Sequence, residues 1–166
     1  LSKPITFVLD ANVFIQAARQ YYAFDLAPSF WQSLIHFGQL GRLMSIDRIS
    51  EELKKGMDEL ADWAQSSFGN AFATTDSEDI TQSYSEIMNW VNNQKQFSDA
   101  AKADFAQGAD GWLIAYARVN GYTIVTQEQM ASALSHKVKI PNVCHAFNVP
   151  YVDTFSMLRS LGIRFN

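Results

Sequence analysis

Two short apolar runs constrain this chain more than anything else in it. Ile5-Thr6-Phe7-Val8-Leu9 and Tyr122-Thr123-Ile124-Val125-Thr126 are β-branched, nearly unbroken and too short for helices. Runs of this kind mark strands buried on both faces, which belong to parallel sheets covered by helices. The rest of the chain alternates helix signals with weaker strand signals. The spacing predicts helices over 12–19, from Pro28-Ser29 to Gly38, and over 47–55, 58–64 and 77–93. Further helices are predicted from Ser98 to Gly108 and over 110–119, 142–147 and 154–161, with Gly121 and Gly162 as stops. Leu43 to Ile46 and Val149 to Val152 read as additional strands, and 66–77 as a polar connection carrying an Ala71-Phe72-Ala73 patch. Asp47, Asp58 and Asp153 read as helix N-caps. Strands separated by helices imply βαβ units. The expected fold class is α/β, a three-layer α/β/α sandwich with a mostly parallel central sheet.

The length of 166 residues is that of one domain, expected to span 1–166, and suffices for one large core. With 48% apolar and 18% charged residues the chain is not of a disordered class. Cys144 is the sole cysteine, so no internal disulfide is available and a reducing cytoplasm is the expected compartment. No run approaches the roughly 18 apolar residues of a membrane span, and the first residues read as a strand rather than a signal peptide. The formal charge of −4 excludes a basic, histone-like nucleic-acid coat. That charge is uneven: residues 47–110 hold five bases against 13 acids, whereas 1–46 are net +1 and 111–166 net +3.

Four acids stand where chemistry is expected. Ligands of parallel sheets sit beyond the carboxyl ends of the strands. Asp10 directly follows the first run, and Glu128 lies two residues past the second. If those strands are parallel neighbours, both carboxylates face one crevice. In the helix around residue 50, Ile49, Leu53, Met57 and Leu60 form an apolar stripe; Glu51 lies opposite it and Glu52 borders it. Asp110 shares a helix face with Leu113, Ile114 and Ala117. Simpler roles stay open: helix caps for Asp10 and Asp110, and a solvated loop acid for Glu128. Taken together, inward carboxylates repel one another unless paired. No lysine or arginine accompanies Asp10 or Asp110 in sequence. A hard divalent cation, Mg²⁺ or Mn²⁺, would relieve that repulsion and could hold a phosphodiester.

The same residues resemble the PIN-domain pattern. Leu9-Asp10-Ala11-Asn12 resembles its strand ending in Asp-x-Asn, and Glu52-Leu53 its helical Glu-Leu. Asp110 before Ile114-Ala115-Tyr116-Ala117 and Val125-Thr126-Gln127-Glu128 complete the ordered set, and the tail resembles a bacterial PIN-like subfamily of unknown function. The resemblance implies a metal-dependent ribonuclease acting on RNA, often the toxin paired with an antitoxin in the VapC-type arrangement. It implies Asp10, Glu52 and Asp110 as the acidic triad and Glu128 as the fourth acid, with Asn12 and Thr126 orienting them. Glu128 departs from the pattern, where Asp is usual; Asp104 is the alternative acid before the Asp110 helix. Lys137 and Lys139 are candidate contacts to an RNA backbone.

Other classes fit less well. A haloacid-type phosphatase needs a second Asp where Asn12 stands, and no P-loop, dinucleotide fingerprint or Gly-x-Ser-x-Gly elbow occurs. His36, His136 and His145 lack zinc-ligand spacing. The non-enzymatic alternative is a PIN-like subunit that keeps its acids but acts through a partner. The acidic, aromatic stretch 76–104 is then the candidate surface for that partner or for a homodimer.

Overall fold

The computed structural model describes residues 3–165. Five strands form one sheet: β1 (Phe7–Leu9), β2 (Leu43–Ile46), β3 (Phe72–Ala73), β4 (Thr123–Val125) and β5 (Tyr151–Val152). Their order is β3-β2-β1-β4-β5 and every pairing is parallel. Phe7 is in register with Leu43 on one side and Thr123 on the other, so β1 is central and β2 and β4 flank it. Both runs that define the sheet are buried along their whole strand length, as their unbroken apolar sequence requires.

The helices are α1 (Ala11–Gln16), α2 (Pro28–Gln39), α3 (Asp47–Lys54), α4 (Glu59–Ser66), α5 (Glu78–Asn92), α6 (Asp99–Gln107), α7 (Asp110–Asn120), α8 (Ile140–Phe147) and α9 (Thr154–Ser160). The chain steps outward from β1 through β2 to β3, then crosses back to β4 and β5 on the other side. Right-handed crossovers therefore send α1–α4 to one face and α5–α8 to the other. The packing follows that division: α3 lies on α4 and α1, while α7 lies on α5, α6 and α8. Under the first group Phe14, Trp31, Trp63 and Phe68 form an aromatic cluster. Under the second, α7 buries Leu113, Ile114, Ala115 and Ala117 completely, which its small, apolar sequence permits.

Three local expectations are corrected. Phe72–Ala73 is the edge strand β3, paired with Ser45 and Ile46; two residues carry no readable period, and their neighbours' hydrogen bonds make the strand. The helix after Asp10 ends at Gln16 and passes into a π-turn over Ala17–Tyr21. Asp47 is not an N-cap but the first residue of α3, and its carboxylate accepts hydrogen bonds from the Thr75 N–H and hydroxyl as well as the Arg48 N–H. It thereby ties the start of α3 to the segment leaving β3. Asp58 and Asp153 do cap, accepting from the Ala61 and Ser156 N–H groups. The aromatics of 76–104 pack inward: Tyr84 stacks on Trp112, and Trp90 meets Phe97 and Phe147 edge-on.

Candidate functional site

The direction of winding reverses between β1 and β4, and a crevice opens beyond the carboxyl ends of strands at such a point. Asp10 and Thr126 each follow their strand directly, so the parallel pairing sets them side by side. The Asp10 N–H donates to the Val125 carbonyl at 3.0 Å, and the Ser45 hydroxyl donates to the Leu9 carbonyl at 2.7 Å. These bonds fix where the strand ends and where the acid begins. Asp10 is only 2% exposed. It occupies the N-cap position of α1, yet its carboxylate makes no capping hydrogen bond. Instead Oδ2 accepts from the Thr126 hydroxyl at 3.2 Å, and that hydroxyl oxygen accepts the Glu128 N–H at 3.1 Å.

The other acids come from helix ends. Asp110 is the first residue of α7, whose cap position is Ala109, so the capping role fails for it too. Glu52, near the end of α3, reaches over with Oε1 to accept the Ala109 N–H at 3.1 Å. Glu128 Oε2 accepts the Ile140 N–H at 2.8 Å, at the start of α8. Each glutamate thus satisfies an amide that the first turn of a helix leaves without a partner. Glu51 points away, as its phase predicts, and pairs with Lys54 at the surface.

Electrostatics shows that the four acids share one space. Burial pushes the Asp10 carboxyl up to about 7, and the Glu128 charge adds to this, with Glu52 contributing less. The Thr126 hydroxyl and the Ala11 N–H pull in the opposite direction. Burial likewise pushes Asp110 up to about 8, followed by the charges of Asp10, Glu128 and Glu52. Lys139 opposes that rise. A loop residue far away in sequence therefore supplies the positive neighbour that local sequence denied to Asp110. The ion pairs among the described residues, Arg19–Asp58, Lys54–Glu51 and Arg118–Glu86, leave all four acids out.

The remaining candidates are distributed unevenly. Asp104 is exposed on α6 and does not figure among the charges felt by Asp10 or Asp110. Asn12 is exposed in the first turn of α1, and no hydrogen bond among the described residues ties it to an acid; Thr126 and two backbone amides do the orienting expected of it. Lys137 is exposed, whereas Lys139 is half-buried at the cap of α8. Sequence reasoning missed the Ala109 and Ile140 amides, although helix starts predicted near both positions signalled free N–H groups there.

The donor set is all carboxylate, the kind that Mg²⁺ and Mn²⁺ prefer. Among the described residues, however, no three acidic, histidine or cysteine side chains converge closely enough to hold an ion as they stand. Each of the two glutamates gives one oxygen to a backbone amide instead. Asp110 makes no side-chain capping bond to its own helix, and Asp10 is held by the Thr126 hydroxyl and the adjacent Ala11 N–H.

The family described as a domain of unknown function, DUF4411, matches residues 7–165. The chain belongs to that family. The DUF4411 match covers all five strands and all four acids. Comparison with curated proteins gives no match. Among solved structures the chain is similar to one in the crystal structure of VapBC2 from Rickettsia felis bound to a DNA fragment from their promoter. The TM-score is 0.56 at 15% identity, over 90% of this chain and 98% of that one. It is similar also to a chain of FitAB bound to the IR36 DNA fragment, with a TM-score of 0.54 at 14% identity over 97% and 99%. At such identity the likeness is one of fold, and it extends over nearly the whole length of each chain.

Proposed function

We propose that this DUF4411 chain is a PIN-type, divalent-metal-dependent ribonuclease that hydrolyses RNA phosphodiester bonds and serves as the toxin of a toxin–antitoxin pair. One observation carries the reading: a buried aspartate, Asp10, and a half-buried one, Asp110, neither in an ion pair, feel the charges of two glutamates at the switch point of the sheet. Carboxylates crowded without a cation are unfavourable unless something positive is meant to sit between them. Asp10 and Asp110 would hold Mg²⁺ or Mn²⁺ directly, and Glu52 and Glu128 would hold its waters with their untethered oxygens. Bound there, the cation would supply the charge that admits a phosphodiester and polarises it toward attack by water.

The chain's own residues would do the rest. The Thr126 hydroxyl fixes the rotamer of Asp10, and its link to the Glu128 N–H sets the spacing between those acids. Lys139 stands near enough to Asp110 to meet an incoming phosphate. The fold likeness to VapBC2 accords with the VapC-type arrangement that the sequence resemblance implies, and it supports an antitoxin as the proposed partner.

The glutamates' commitment to backbone amides favours the second reading, a catalytically silent PIN-like subunit acting through a partner. A cleavage assay separates the two. A pool of structured and single-stranded RNAs is incubated with purified protein and Mg²⁺ or Mn²⁺, beside Asp10→Asn and Asp110→Asn controls. Metal-dependent cleavage lost in both folded variants supports the nuclease. Absence of cleavage together with absence of any metal-induced rise in Tm supports the silent subunit.

A further inference from the structure

Beside the acids lies a hollow of about 340 Å³ lined by Gln16, Tyr21, Tyr22, Gln127, Gln129, Thr154 and Phe155. It adjoins a second hollow of about 310 Å³ lined in part by Thr126, Glu128 and Asp153, and the two share Gln127 and Gln129. The two hollows thus run on from Glu128, past Gln127 and Gln129, to the aromatic wall. The Thr154 hydroxyl oxygen, on a residue of that wall, is itself covered and has no hydrogen-bond partner among the described residues, and the residue is 4% exposed. Buried hydroxyls are normally paired, and a rotation about the Thr154 Cα–Cβ bond would offer this orphan to a polar group in the hollow. Tyr21 and Phe155 are 60% and 54% exposed there, large apolar rings left in water. Tyr22 is held by stacking on Phe30 at 4.4 Å, giving one wall a fixed position. The Arg159 guanidinium stands 5.8 Å from the Phe155 ring.

Aromatic faces, three glutamine amides and an unpaired hydroxyl form the complement of a nucleobase: rings to stack on, and donor and acceptor groups for its edge. The volume lies near the lower end of the range for small-molecule pockets, about 300 Å³, which suits one nucleoside and not a folded partner. We infer that this pocket binds one unstacked base of a single-stranded RNA whose backbone passes the carboxylates, with Phe155 stacking and Gln127, Gln129 and Thr154 contacting the base edge. The inference rests on the nuclease reading for the identity of the strand, but the pocket is tested by binding alone.

The full chain carrying Asp10→Asn, without metal, is titrated with AMP, GMP, CMP and UMP and followed by NMR. A labelled single-stranded oligoribonucleotide and an abasic ribose-phosphate oligomer of equal length are bound in parallel. The expected result is that the side-chain signals of Gln127, Gln129 and Thr154 move with at least one nucleotide. Phe155→Ala and Gln127→Ala should bind the oligoribonucleotide about tenfold more weakly, and the abasic oligomer as the parent does. Thr154→Val, nearly equal in shape, should raise Tm by removing the orphan hydroxyl while weakening the oligoribonucleotide. Pocket signals unmoved by every nucleotide, or variants that bind the oligoribonucleotide as tightly as the parent, would overturn the inference; a pocket built for a protein side chain gives that outcome. A protein that binds nucleotides here but cuts no RNA ends the nuclease reading alone. A protein that cuts RNA with unchanged KM in Phe155→Ala ends the pocket alone.

Discussion

The hydroxyl of Thr126 donates to Oδ2 of Asp10 at 3.2 Å, joining the first residue past β4 to the first residue past β1. Its oxygen also accepts the Glu128 N–H, so one side chain sets the relation between two of the acids. Thr126→Val keeps the shape and removes both contacts. It should cost about 1–3 kcal/mol in an unfolding titration, and RNA cleavage should fall steeply. Thr126→Ser should retain most of both. A loss in Ser with parent-like behaviour in Val would mean that the methyl, not the hydroxyl, matters.

Asp10→Asn and Asp110→Asn each remove a charge, buried in the first and half-buried in the second, that has no cationic partner in an ion pair. Without metal at pH 8 each variant should melt a few degrees higher than the parent, since ~1 kcal/mol moves Tm by about 2–4 °C at this size. Both should lose the further rise that Mn²⁺ gives the parent, along with cleavage. A parent whose Tm ignores Mn²⁺ and Mg²⁺ at concentrations up to millimolar would sink the metal assignment.

How much of this was legible in sequence follows from how local each feature is. β1 and β4 announce themselves because burial on both faces leaves an unbroken apolar run. The places of Asp10 and Glu128 just past β1 and β4 are legible for the same reason, since the strand ends are. The partners of the acids were not legible, because Ala109 and Ile140 act through backbone amides that any residue would present. Lys139 reaches the neighbourhood of Asp110 only through the loop that precedes α8. The strand Phe72–Ala73 exists because Ser45 and Ile46 offer it a ladder, and a two-residue stretch holds no record of that. Asp47 looked like a cap and is instead a clamp on Thr75, a contact set by tertiary placement.

The pH dependence has a definite sign. Both aspartates have folded-state values, about 7 and about 8, above the ordinary value of 3.8. Between pH ~4 and ~8 the folded chain therefore holds more protons than the unfolded one, and stability falls as pH rises. The metal-free protein should melt highest near pH 5 and lower at pH 8. Asp110→Asn should flatten that decline. Mn²⁺ should stabilise the parent more at pH 8 than at pH 5, because it binds the ionised carboxylates. A melting temperature that climbs from pH 5 to pH 8 in the parent and not in Asp110→Asn would reverse the assignment.

Glu52 holds two roles that a pair of substitutions can separate. Its Oε1 accepts the Ala109 N–H, pinning the end of α3 to the start of α7, while its charge presses on Asp10 and Asp110. Glu52→Gln keeps the accepting oxygen and discards the charge. It should fold with near-parent stability and lose metal-dependent cleavage. Glu52→Ala removes both and leaves the Ala109 N–H without its acceptor, at a cost of about 1–3 kcal/mol. Urea unfolding and RNA cleavage measured on the same preparations distinguish them. If Gln and Ala lose equal stability, the bond to Ala109 is not what joins the helices. If Gln cleaves as the parent does, the charge of Glu52 has no part in the reaction, and the metal would rest on Asp10, Asp110 and Glu128 alone.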